Sequence, residues 1–309
     1  MTRYARQYRS IARALSRMEL ARSSMDDAFG IDELGLLDKN AGRRWLDFYG
    51  DEGLRLALDR YGIEREVKQR GYLGMELETR AHDDRHTLLI SGRTAADPEG
   101  PAHRLVELVV RRDRLIPHEV PGLPPLDTAY DALTVDWLLL QDPQARFTPE
   151  RPRLPGQEWP GLGIGERVLE LLYLIVQRLE LGALVTVAEH LHNAILYARE
   201  LPFFDPAHGG RLRALEDLLL GREGLSIAQA SWAMEWGCVR GADDAVLKWK
   251  GEAQLRAFAP TLKEWIRGTA HQEAVQRAAA TTKLTLDRAY FDERWREEAP
   301  ALEGRAPTG

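Results

Sequence analysis

The chain has 309 residues, 44% of them apolar and 29% charged, with a formal net charge of −6. That length allows one large domain or two ordinary ones with a sizeable core, and the acidic balance argues against a chain built mainly to coat nucleic acid or an anionic membrane. The single cysteine, Cys238, permits neither an internal disulfide nor a cysteine-based zinc cage.

Basic residues near Met1 are followed by no apolar segment, so no secretory leader is expected. The most apolar run, residues 168–176, is far shorter than the ~20 residues of a membrane helix. The expectation is a cytoplasmic protein with no membrane and no nucleic-acid partner.

Residues 1–64 read as a helical segment. Tyr4, Tyr8, Ile11, Leu15 and Met18 recur at spacings of three and four and form one apolar face. Arg3, Arg6, Arg9, Arg13 and Arg17 lie on the rest of that helix, as a solvated face or a surface for an anionic partner. A second helix is expected over residues 41–61, with Trp45, Phe48, Leu54, Leu56 and Leu58 inward and Tyr61-Gly62 as its end.

From Gly71 the period changes to two. Tyr72, Gly74, Glu76 and Glu78 alternate with Leu73, Met75 and Leu77, and Ala81-His82-Asp83-Asp84 is a turn signal before residues 86–91 run back. Residues 104–111 read as a third strand, interrupted by Glu107. A loop with four prolines follows over residues 117–127. Residues 133–141 form the most apolar strand. The region predicts a meander of antiparallel strands covered on one face by helices.

Residues 142–160 carry five prolines and suit a functional or interaction loop. An apolar helix over 164–181, stopped by Gly182, leads to a short buried strand at 183–187. The order strand, helix, strand predicts a right-handed crossover and a parallel pair. Beyond Asp205-Pro206, residues 211–220, 226–239, 243–249 and 251–267 read as helices, the last continuing as helix over 261–280. Ser226 and Gln229 have the spacing of a capping box. The divisions are thus 1–64, helical; 65–206, an α/β core; 207–298, helical; and 299–309, a disordered tail.

The chemistry-bearing stretch is Gly161-Leu162-Gly163-Ile164-Gly165 at a strand–loop–helix junction. Glycines there bring backbone N–H groups and the positive end of a helix dipole together, which suits a phosphate. The spacing is not the G-x-G-x-x-G of a dinucleotide fold, and Gly165-Glu166-Arg167 is not a Walker loop. His190 and His192 would reach one metal only if extended, and they lack further ligands. Glu107 and Asp136 interrupt apolar strands, so each is either a cleft-facing base or a solvated carboxylate. Trp232 and Trp236 share a helix face as core or as a partner groove. Cys238 reads as a small buried hydrophobe.

The run P-G-L-G-I-G-E-R-V-L-E-L-L, a buried strand, and then N-A-I-L-Y-A-R-E-L-P-F-F resembles the GNAT superfamily of acyl-CoA N-acyltransferases over about residues 70–205. The resemblance implies an α+β fold with a mixed, mainly antiparallel sheet and covering helices, here followed by a C-terminal helical region. It implies transfer of an acetyl or longer acyl group from acetyl-CoA or another acyl-CoA, without a metal, to a small-molecule or peptide amine. Gly161, Gly163, Gly165 and Asn193 would bind the coenzyme. Tyr197 would protonate the departing thiolate, and Glu107 or His192 would accept the amine proton. Pro160 stands where that family prefers Gln or Arg. The competing expectation is a non-catalytic scaffold on a degenerate version of the fold, and a homo-oligomer or protein partner fits either reading.

Overall fold

A computed structural model describes residues 3–23 and 44–305. The protein is α+β. It divides into two compact units, the first being Met1–Asp113, Ala132–Gln144 and Gly161–Leu181, the second Arg114–Asp131, Ala145–Pro160 and Gly182–Gly309. No helix among the described residues is long and apolar enough to cross a membrane.

In the first unit, α1 (Ala5–Ala14) buries Ala5 and Tyr8. The expected single helix breaks at Leu15, because Ser16 and Glu19 form a capping box that starts α2 (Arg17–Leu20). Met18, assigned inward by periodicity, is therefore 83% exposed. Arg3 pairs with Glu166 and Arg17 with Glu180.

The helix expected over 41–61 is shorter. Residues 41–43 lie outside the described residues, and residues 45–49 make a turn with Leu46 and Asp47 at positive φ. Then come α3 (Asp51–Arg60) and, past Gly62 at φ +73°, α4 (Ile63–Gln69).

The sheet of this unit follows chain order. β1 (Tyr72–His82) and β2 (Arg85–Thr94) form the expected hairpin about Asp83, and β3 (His103–Leu115) pairs antiparallel with β2. β4 (Tyr130–Leu140) lies next to β3. It runs antiparallel, since Gln141 N–H donates to Leu105 O while Arg111 meets Asp136. One sheet face presents Leu88, Ile90, Val106 and Leu108 to α3 and to α5 (Gly165–Arg178), around an apolar cavity of about 90 Å³. Helix α5 ends three residues before the expected stop. Glu180 takes the left-handed conformation at φ +56°, and Leu181 N–H closes on Val176 O.

In the second unit, β5 (Ala183–Val187) pairs antiparallel with β7 (Ala253–Ala257). Its helices are α6 (Leu191–Ala198), α7 (Pro206–Glu216) running into a π-helical turn at Asp217–Arg222, α8 (Ile227–Glu235), α9 (Pro260–Arg267), α10 (Thr269–Thr281) and α11 (Arg288–Leu302). Two-residue strands β6 (Val239–Arg240) and β8 (Thr285–Leu286) pair between them. Leu212, Leu215, Leu218, Ala230, Ala233, Met234 and Phe291 make the core.

Three helical expectations are corrected here. Residues 243–249 are irregular, with a turn near Asp243 and an isolated bridge from Val246 to Arg240. Residues 253–257 are strand because β5 offers a ladder, which outweighs helix propensity. Gly268, at ψ 156°, separates α9 from α10. The Ser226–Gln229 capping box is present. Of the tail expected over 299–309, residues up to Leu302 belong to α11, and 306–309 lie outside the described residues.

The proline-rich stretches are bonded to aromatic side chains and to the end of α11. Trp265 Nε1 donates to Pro124 O (2.8 Å), Trp232 Nε1 to Arg153 O (2.7 Å), and Arg153 N–H to Leu302 O (2.8 Å). Trp232 stacks on Trp236 at 5.3 Å, and Trp236 also meets Phe291 and Trp295, so this face serves packing.

Candidate functional site

The glycine turn belongs wholly to the first unit. Gln141 bridges to Gly161, and Leu162 N–H donates to Leu140 O, which fixes where the chain leaves β4. Gly163 sits at φ +73°, and α5 begins at Gly165 without a side-chain cap at Ile164. The first N–H groups of such a helix have no intrahelical acceptor and carry its positive pole.

A cation stands over this turn. The Arg70 Nη2 lies 2.7 Å from where a Cβ on Gly163 would be. Arg70 ends α4, and its Nε is buried without an acceptor among the described residues. Its Nη1 meets Asp142 at 3.5 Å. Asp142 in turn accepts from Tyr72 Oη (2.7 Å) and Gln144 N–H (3.2 Å). Burial, with the Asp142 bond behind it, pushes the Tyr72 hydroxyl up to about 12, so it stays a proton donor. Arg70, Tyr72 and Asp142 were not legible as one group in the sequence, where they belong to separate elements.

Glu166 occupies the first turn of α5 and pairs with Arg3 at 2.9 Å. Glu107 is also in the first unit, opposite Leu89 of β2. Its neighbours Val106 and Leu108 line the cavity, so Glu107 points to the other sheet face, paired with Arg104 at 2.9 Å. Asp136 is held by Arg111 (3.2 Å) and Arg85 (3.3 Å).

His192, Asn193 and Tyr197 lie together on α6 in the second unit. Asn193 and Tyr197, four apart, share a helix face, and His192 is turned away from them. His192 is buried, and its Nδ1 has no hydrogen-bond partner among the described residues. Burial, and then the neighbouring His190, lowers its pKa to about 4. The two imidazoles stack at 5.5 Å, and His190 Nδ1 lies 3.9 Å from Glu235. No group of His, Cys, Asp or Glu among the described residues is arranged to hold a metal ion. Burial raises the Tyr197 hydroxyl pKa, which keeps it protonated at neutral pH. Cys238 is fully buried, and its thiol is pushed up to about 11, so it is not a nucleophile.

The chain matches no protein-family model, no curated protein and no solved structure.

Proposed function

We propose that the chain is a GNAT-like N-acyltransferase that moves an acetyl or acyl group from an acyl-CoA to a small-molecule or peptide amine. The observation that carries this reading is Arg70 beside Gly163 at the uncapped start of α5. A guanidinium and a helix N-terminus are the donors that a pyrophosphate needs. Arg70 also supplies, from another element, the polar group that Pro160 removes from the turn.

In the reaction the amine nitrogen attacks the thioester carbonyl and the C–S bond breaks. The nitrogen's proton passes to a base and the thiolate takes one from an acid. Tyr197, protonated at neutral pH, is assigned as that acid. Glu107 and His192 remain competing assignments for the base. His192 is neutral at pH 7 but weakly basic, so its use would give a rate that rises near pH 4 and is flat above.

Thermal unfolding with acetyl-CoA tests the reading. Ligand at ~100 times its dissociation constant adds about 2.7 kcal/mol. The shift is expected with the parent chain and is lost on Arg70→Ala. No shift with acetyl-CoA or longer acyl-CoAs overturns it. Tyr197→Phe is expected to slow turnover and keep the shift.

The second reading is a non-catalytic scaffold, favoured by Glu166 and Arg3 already neutralising the start of α5. No stabilisation by any acyl-CoA, together with no thiol release across a panel of amines, would select it.

A further inference from the structure

We infer that two copies of this chain pair edge to edge through β1, antiparallel and centred on Thr79. The inference is independent of the acyl-transfer reading. β1 is the outermost strand of its sheet among the described residues. Past the register shift between Leu73 and Glu76, its pairing with β2 is continuous from Glu76 to His82.

The outward-facing groups follow from one contact. Leu77 O accepts a hydrogen bond from Arg55 Nη2 (3.4 Å), so it points away from β2. Alternate residues of a strand present both backbone groups to the same side. Leu77, Thr79 and Ala81 therefore face outward, while Glu76, Glu78 and Arg80 bond to β2. An edge of this kind can take a further strand.

Charge selects the strand. Glu76 and Glu78 precede Thr79, and Arg80 and His82 follow it. All four are exposed. A two-fold axis through Thr79 sets Glu78 opposite Arg80 of the second copy, and Glu76 opposite His82. Both pairs occur twice, on one sheet face. The other face pairs Leu77 with Ala81 and Thr79 with itself. Centring on Glu78 would oppose two glutamates, and centring on Arg80 two arginines. Charged edges usually discourage pairing; this one discourages every neighbouring register and favours one. The Glu78–Arg80 contact within a copy (2.5 Å) is exposed and exchanges for the same contact between copies. Arg55 yields the Leu77 carbonyl.

Sedimentation equilibrium at low ionic strength tests this. The parent chain is expected to pass from one copy to two with rising concentration, and back as salt is added. Glu78→Arg, which opposes like charges twice, is expected to weaken association ~10-fold or more. The double exchange Glu78→Arg with Arg80→Glu is expected to restore it. Thr79→Pro removes an outward N–H that β2 does not use, and is expected to abolish pairing with unchanged far-UV circular dichroism. A parent chain that stays single at every concentration overturns the inference. So does a dimer indifferent to Glu78→Arg, or one that the double exchange fails to restore.

Discussion

The guanidinium of Arg70 occupies the space that a side chain on Gly163 would need, 2.7 Å from the position of its Cβ. A backbone turn and a charge from another element are thereby locked to each other. Either partner changes the site if it is altered.

Gly163→Ala is expected to lower stability by about 1–3 kcal/mol, since alanine at φ +73° is strained and Arg70 must move. Gly165→Ala is the control. Its Cβ would meet only Leu140 Cδ1 at 3.9 Å, and alanine suits a helix better, so it should be neutral or gain up to ~1 kcal/mol. Urea unfolding reads both; equal losses would show that the strain at Gly163 is not what matters.

Tyr72→Phe removes the hydroxyl that donates to Asp142 and leaves a buried carboxylate with one bond fewer. A loss of about 1–3 kcal/mol is expected. Because Asp142 also meets Arg70, any acyl-CoA stabilisation should weaken in the same variant. A variant that binds and unfolds as the parent does would separate Tyr72 from the site.

His192 should make stability depend on pH. Its folded pKa is lowered from 6.5 to about 4, so the unfolded chain takes the proton first as pH falls. The stability is fully present above pH 6.5 and is eroded between there and about 4, by up to about 3 kcal/mol. His192→Gln should flatten the profile in that window. Superimposable parent and variant profiles would exclude the imidazole as the cause.

Gly210→Ala tests the packing of α7 on α10. The added Cβ would lie 2.4 Å from Ala278 Cβ and 2.6 Å from Ala279 N, with backbone on the far side. A loss of about 1–3 kcal/mol is expected from the forced separation of the helices. An unchanged midpoint in urea would mean that the two helices are not held at that distance.

Much of the local structure was legible in the residues. The hairpin about Asp83, the Ser226–Gln229 cap, the stacked Trp232 and Trp236, and a glycine turn opening a helix all rest on partners within a few positions. Chain geometry alone imposes such features. Even so, Ser16 and Glu19 carried a readable cap that the longer periodicity concealed, and Met18 was placed inward in consequence.

What the sequence by itself determined is the acidic α+β chain, the order of most elements, and the backbone shape of the turn at Gly163. The tertiary structure alone decided that residues 253–257 form a strand, because the ladder they complete is on β5. It also decided that Arg70 stands over Gly163, that Asp142 holds both Arg70 and Tyr72, and that His192 is buried without a partner for Nδ1 among the described residues. These depend on which distant segments meet. Burial and charge proximity are properties of that meeting, and no local period encodes them.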